Sequence, residues 1–414
     1  MMTSWINIDT NSDFSMHNIP FGIFQHQNDE PRVGTRIGDF VADLKVMADL
    51  AFFDDLEISR TVFQEQTLNP FIALGKVATN AVRKRIQECF ATDFWNSQEL
   101  AGYYMYNAAE VTMLMPVAIG DYTDFYSSKE HATNVGIMFR DPANALLPNW
   151  LHLPVGYHGR SSSIVVSGTP IKRPKGQMLP PDGTSNPIFG ESKRVDFELE
   201  MGFIIGKNTE LGDAIDINHA ADYIFGMVLF NDWSARDIQQ WEYVPLGPFL
   251  GKNFGSTISP WIVTMEALEP FRTESPAQSP APLPYLQQNG NQNYDIALSV
   301  AIAPEGCEAT IISNSNFKYM YWSMIQQLAH HTVNGCNVRI GDMMASGTIS
   351  GATPDSYGSM LELAWKGTKP IPMPDGSERR FINDGDTVIM SGFAVKDDIR
   401  VGFGVCEGKI INDL

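Results

Sequence analysis

Acidic residues at three places in the chain have the chemistry to hold a divalent cation. In Asp196-Phe197-Glu198-Leu199-Glu200-Met201-Gly202-Phe203 polar and apolar residues alternate. An extended chain therefore turns Phe197, Leu199 and Met201 to one face and Glu198 and Glu200 to the other. Carboxylates spaced that way lie ~6–7 Å apart, within reach of one ion; the alternative is an amphipathic strand with its polar side in water. Residues 223–230 are apolar on both faces and read as a buried strand, which runs into Asn231-Asp232-Trp233-Ser234-Ala235-Arg236-Asp237. Asp232 at this strand-to-helix turn suits a site and equally suits a helix N-cap. Arg236 and Gln239, three apart, share a helical face. A third acidic stretch, Gly120-Asp121-Tyr122-Thr123-Asp124-Phe125-Tyr126, leads to His131.

Of eight histidines, His131 is the best placed to act as a base, because polar and aromatic residues precede it. His152, His158, His330 and His331 are its rivals; His330-His331 falls near a helix end, where the helix dipole explains it. The chain has no HExxH, GxSxG, P-loop or complete GxGxxG. Its four cysteines are scattered with no CxxC pair. Oxygen ligands without such Cys/His spacing favour Ca²⁺ or Mg²⁺ over zinc, and the cysteine usage suits a reduced, intracellular protein.

The 414 residues suit one large domain and a smaller one. With 29 basic and 48 acidic residues the net charge is −19, which repels nucleic acid and anionic membranes. Charged residues are only 19% and hydrophobic ones 43%, enough for a large core. The N-terminus has no basic start or long apolar run, so no signal peptide is expected. The most apolar stretch, 103–119, is broken by Asn107, Glu110 and Pro116, short of the ~20 residues a membrane helix needs. A cytoplasmic protein is expected.

Residues 1–117 carry the clearest helical patterns. One spans about 41–53. Another starts at Asn69-Pro70, read as N-cap and first helical residue, and continues to about 90 through Phe71, Leu74, Val77, Ala78, Ala81, Val82, Ile86 and Cys89. After Pro116 strand-length apolar runs dominate, at 164–166, 197–205, 223–229, 261–265, 297–302, 387–390 and 399–403, predicting a large β-rich sandwich or roll over 118–414. Residues 171–192 and 270–293 read as Pro/Gly-rich loops. One strong helix is expected over about 318–333, ended by Asn334-Gly335.

These residues together resemble the fumarylacetoacetase family. The match rests on Asp-Tyr-Thr-Asp-Phe-Tyr with His131-Ala-Thr-Asn, Glu198-Leu-Glu200, Asn-Asp232-Trp-Ser-Ala-Arg236-Asp-Ile-Gln239, Gly251-Lys252, Gly347-Thr348-Ile-Ser-Gly351 and Gly404-Val-Cys. Pro-Asn-Trp-Leu-His-Leu-Pro and Trp-Glu-Tyr-Val-Pro-Leu-Gly-Pro-Phe-Leu-Gly-Lys extend it, end to end. The resemblance implies a mostly β, α+β fold, with a small N-terminal SH3-like barrel carrying helical additions and a C-terminal β-sandwich roll, in a homodimer. It implies a Ca²⁺ site at Asp124, Glu198, Glu200 and Asp232, and a second, Mg²⁺ site at Asp232, Lys252 and Ser256, where the family pattern has threonine. It matches His131 to the general base and Glu362 to the acid that orients it. Arg236, Gln239 and Lys252 match the groups around the developing oxyanion. Tyr126, Arg140, Tyr157, Gln239, Tyr243 and Thr348 match substrate contacts.

The implied reaction is hydrolysis of the carbon–carbon bond of 4-fumarylacetoacetate, a diketo acid, to fumarate and acetoacetate, the last step of tyrosine and phenylalanine degradation. It needs a base for water, donors for an alkoxide and a Lewis acid for the departing carbanion. The alternatives are a related acylpyruvate or β-diketo acid hydrolase, whose shared core lacks the N-terminal region, and a non-catalytic calcium-stabilised β-sandwich binding protein.

Overall fold

The computed structural model describes residues 4–91, 94–180 and 186–412; the first three residues of the N-terminus read above lie outside them. Three sheets organise the chain, and the fold is mostly β with helices added, as the sequence predicts. The N-terminal sheet has five antiparallel strands in the order Met105–Asn107, Phe40–Asp43, Arg32–Ile37, Phe21–His26, Val111–Leu114. The central, eight-stranded sheet runs Gly156–His158, Tyr122–Phe125, Met343–Ala345, Leu199–Ile205, Ile224–Asp232, Ser256–Ile258, Ile164–Val166, with Val263–Thr264 pairing on Ile224–Asp232. The third sheet runs Thr310–Asn316, Ala297–Ala303, Thr387–Lys396, Ile399–Ile411, Ile171–Lys172.

The central sheet lies between two cores. Leu199, Met201, Phe203, Ile205, Met227 and Leu229 belong to the core shared with the third sheet. Ile204, Val228 and Phe230 point the other way, into the core that holds Phe21, Phe71 and Ile86 of the N-terminal region. This arrangement overturns the amphipathic reading of the Glu198–Glu200 segment. Every residue of Leu199–Ile205 is buried, because both faces of the strand are covered by protein.

Several boundaries shift for identifiable reasons. The helix expected over 41–53 is a strand, Phe40–Asp43, followed by a short helix, Leu44–Asp49. Val41 is committed to Arg36 and Tyr106 on the neighbouring strands, and buried Asp43 caps the helix by accepting from the Val46 N–H at 3.1 Å. The 69–90 helix is two pieces, Asn69–Ile72 and Lys76–Ala91, broken at Gly75, whose φ of +83° leaves the helical region. Asn69 is not its N-cap: its side chain instead bonds the Ala118 N–H and C=O and the Ile340 carbonyl, fastening this region to the central sheet. Val77, counted in the apolar stripe, is exposed.

The helix expected from 318 begins only at Met324, where Ser323 and Gln326 form a reciprocal cap, and ends at Thr332. The expected strand at 261–265 keeps two residues, Val263–Thr264, and then turns into the helix Met265–Leu268. The 171–192 loop contains an antiparallel hairpin, Lys175–Met178 on Ile188–Glu191, with 181–185 outside the described residues. Among the described residues no helix is long and apolar enough to cross a membrane.

Candidate active site

Strand register brings the acids together. Glu200 pairs with Phe230, so Asp232, two residues beyond, projects from the same face. On the other side Ala345 joins the two strands, pairing with Gly202 and with Asp124. Asp124, Glu200 and Asp232 are all buried, and each offers an oxygen within 4.8 Å of the others. Among the described residues Asp124 Oδ1 and Glu200 Oε1 have no hydrogen-bond partner. Buried carboxylate oxygens left without donors, with more charge than their neighbours neutralise, fit a hard divalent cation. Burial raises the pKa of all three, Asp124 and Glu200 well above the ordinary range; repulsion from Asp232 and Glu198 adds to this at both, whereas at Asp232 Glu198 repels and Lys252 and Ser256 pull the other way. Asp232 ends the strand Ile224–Asp232; it is not a helix N-cap, a position held by Ala235.

Glu198 precedes the strand, bridges to Ser359, and lies outside this trio. Its Oε1 accepts from Arg236 Nη2 at 2.8 Å and its Oε2 from Lys252 Nζ. Burial pushes its pKa up, but Lys252 and Arg236 outweigh that and hold it far below the ordinary value. Lys252 Nζ also donates to Asp232 Oδ2 at 2.5 Å, and Ser256 Oγ to Asp232 Oδ1 at 3.1 Å. The ammonium thus bridges the acid trio and Glu198.

His131 sits in the first turn of the helix Lys129–Phe139, which is capped by the Ser128 side chain. Its Nδ1 meets Glu362 Oε2 at 2.7 Å, both residues being buried. Glu362 accepts three further bonds, from Asn134 Nδ2, Ser350 Oγ and Ser359 Oγ, each at 2.9 Å. Burial raises the Glu362 pKa; His131 and these donors more than reverse that, leaving it below the ordinary value. The carboxylate is therefore ionised and locked, and it fixes the imidazole with Nε2 turned away from it. The Tyr126 ring stands edge-on to His131 with centroids 5.2 Å apart.

Other expected contacts are placed unequally. Tyr157 donates its hydroxyl to Asp232 Oδ2 at 3.3 Å. Gln239 Oε1 accepts from Arg236 Nη1 at 3.3 Å. Thr348 is buried beside Gly347. Arg140, exposed at the end of the His131 helix, donates to the Ala145 carbonyl at 2.6 Å and lies near enough to Tyr126 to act on it electrostatically. Tyr243 caps the C-terminus of Arg236–Glu242 and is half exposed. Two of the rival histidines have other partners: His331 Nε2 lies 3.0 Å from Thr123 Oγ1 and His330 Nδ1 lies 3.0 Å from the Tyr285 hydroxyl.

Gly347 and Asp196 lie inside motifs the sequence singled out, but the sequence assigns neither a role. The Gly347 N–H donates to Glu200 Oε2 at 2.9 Å, and its φ is +79°. A Cβ there would run into the Phe125 carbonyl oxygen, next to Asp124. Gly347→Ala is expected to lower stability by about 2–4 kcal/mol and to weaken metal binding, measurable by urea unfolding and by metal analysis; wild-type values in both would remove the packing argument.

An imidazole fixed by an ionised carboxylate, beside buried acids able to take a metal, is the equipment of a hydrolase. Comparison with known proteins agrees. Residues 17–116 match the family model described as fumarylacetoacetase N-terminal, and residues 121–411 that described as fumarylacetoacetate hydrolase C-terminal. The fumarylacetoacetase of Dictyostelium discoideum is 55% identical and that of Homo sapiens 54%, each over 99% of this chain and 98% of the relative. That of Arabidopsis thaliana is 50% identical over 99% of both chains. The solved fumarylacetoacetate hydrolase of Exiguobacterium antarcticum shares the fold, with a TM-score of 0.55 at 16% identity over 95% of this chain and all of that one. The chain belongs to the fumarylacetoacetase family.

Proposed function

We propose that this protein hydrolyses the carbon–carbon bond of 4-fumarylacetoacetate, giving fumarate and acetoacetate, at the close of tyrosine and phenylalanine degradation in the cytoplasm. Full-length similarity to relatives named fumarylacetoacetase supports the substrate. The observation that carries the chemistry is the 2.7 Å His131–Glu362 contact, with His131 near enough to Glu198 of the Glu198–Lys252–Arg236 cluster to act on it electrostatically. With Nδ1 donating to the ionised Glu362, Nε2 is the acceptor left for a proton from water. His131 then holds the proton at Nε2 and returns it to the departing carbon.

The tetrahedral alkoxide needs fixed donors. Lys252 spends two of its three N–H groups on Glu198 and Asp232 and keeps one. Arg236 gives single bonds to Asp196, Glu198 and Gln239, which leaves two of its five. Losing one such donor typically lowers turnover by ~10²–10³. Arg140, Tyr126, Tyr157, Gln239, Tyr243 and Thr348 orient the substrate in this reading.

Asp124, Glu200 and Asp232, with Glu198 as the fourth carboxylate, would hold Ca²⁺, which polarises a carbonyl as a Lewis acid. A second, Mg²⁺ site would use Asp232, Lys252 and Ser256. A doubly anionic substrate approaching a chain of net charge −19 needs local cations of this kind. The active form is a homodimer, and the chain divides near residue 117 into an N-terminal part, 1–117, and a catalytic part, 118–414; the junction of the two family models between 116 and 121 supports that division.

Loss of fumarylacetoacetate ultraviolet absorbance tests the assignment. Turnover is expected, abolished by chelator and restored by divalent cation. No turnover by metal-loaded protein would overturn the assignment, and faster hydrolysis of acetylpyruvate would reassign the substrate.

A further inference from the structure

Asp196 joins the two halves of the site. Its side chain is fully buried. Oδ1 accepts from the Met360 N–H at 2.7 Å; Oδ2 accepts from the Leu361 N–H at 3.0 Å and from Arg236 Nε at 2.8 Å. Met360 and Leu361 open the short helix Met360–Leu363, and the residue that follows them, Glu362, holds His131. Arg236 in turn reaches Glu198, and Glu198 reaches Lys252. The hydrogen bonds therefore run unbroken from His131 through Glu362, its helix, Asp196, Arg236 and Glu198 to Lys252.

We propose that Asp196 is a positioning residue for the hydrolysis, setting the separation between the imidazole that takes the proton and the guanidinium that faces the alkoxide. This rests on the function proposed above. A carboxylate suits the position because it is acceptor-only: three donors converge on it from two separate segments, and one is charged. Asparagine of the same shape would turn an NH₂ toward one of those donors, freeing either Arg236 or the Glu362 helix to move. A misplacement of ~1 Å between reacting groups lowers rates by ~10²-fold. Ground-state binding, carried by other residues, would change little.

The test is steady-state hydrolysis by the metal-loaded enzyme carrying Asp196→Asn, Asp196→Glu, Arg236→Lys, or Asp196→Asn with Arg236→Lys. Asp196→Asn is expected to keep native circular dichroism and wild-type metal content, to lose ~10²-fold in kcat, and to hold KM within about threefold. In the Arg236→Lys background the same change should have a clearly smaller effect, because it acts largely through that guanidinium. Asp196→Glu, which retains the charge, covers the case in which asparagine prevents folding. Wild-type kcat in Asp196→Asn, losses that multiply in the double variant, or loss of native structure in both Asp196 variants would overturn the proposal. If the wild-type enzyme fails on fumarylacetoacetate, the substrate assignment falls instead, and the same comparison is made with the diketo acid it does hydrolyse.

Discussion

Replacing His131 by alanine is expected to reduce kcat by ~10³-fold or more, within the range for loss of a general base, while leaving bound metal and melting temperature near wild type. The metal should stay because His131 is not one of the three residues whose ligand atoms cluster, Asp124, Glu200 and Asp232. The fold should hold because Glu362, deprived of its imidazole, keeps Asn134, Ser350 and Ser359 as donors, so no buried carboxylate is stranded without partners. Glu362→Gln tests the same dyad from the other side. Its amide can offer an NH₂ to Nδ1, forcing the proton onto Nε2, where it blocks acceptance from water; kcat should fall with KM nearly unchanged. Substantial turnover by His131→Ala would remove the base from the mechanism, and turnover preserved only in Glu362→Gln would show that the carboxylate places the ring without setting its tautomer.

How far the sequence reached is best seen at individual residues. His131 stands out from its own neighbourhood, but its partner is 231 positions away, and no local pattern marks Glu362; only the family resemblance singles it out. Alternation puts Glu198 and Glu200 on one strand face, which is sound for an extended chain. It cannot show that the strand starts at Leu199, nor that two cations from residues 236 and 252 claim Glu198 first. Period-two patterning also carries no information on what covers the polar face, so a strand between two cores reads as half-solvated. Helical spacing over 41–53 was outweighed by Val41's ladder partners, a tertiary effect absent from any window of sequence. By contrast, the 164–166, 297–302 and 399–403 runs emerge as strands, because consecutive apolar residues bounded by turns leave few other ways to bury them.

Asp124→Asn and Glu198→Gln should both abolish turnover, yet shift the stability of the metal-free protein in opposite directions. Without an ion, Asp124, Glu200 and Asp232 are carboxylates forced together in the interior, their pKa values raised by burial, and those of Asp124 and Glu200 also by repulsion from Asp232. Neutralising Asp124 removes one member of that repulsion along with an oxygen that lacks a donor, so the stripped variant should be about 1–2 kcal/mol more stable than stripped wild type. Glu198 has the contrary surroundings, with Arg236 and Lys252 bound to its two oxygens. Making it neutral leaves two buried cations partly uncompensated and should destabilise the chain by about 3–5 kcal/mol. Wild type should gain about 2.7 kcal/mol at a free metal concentration 100 times Kd, and Asp124→Asn should lose nearly all of that gain. Thermal unfolding of the two variants with and without calcium, alongside elemental analysis, reads both effects. If stripped Asp124→Asn is less stable than stripped wild type, the three acids are held by hydrogen bonds of their own rather than by a cation, and the metal centre must be sought elsewhere. If Glu198→Gln instead proves stabilising, Glu198 belongs with the repelling acids, and Lys252 is a counterion to the whole cluster rather than its link to Arg236.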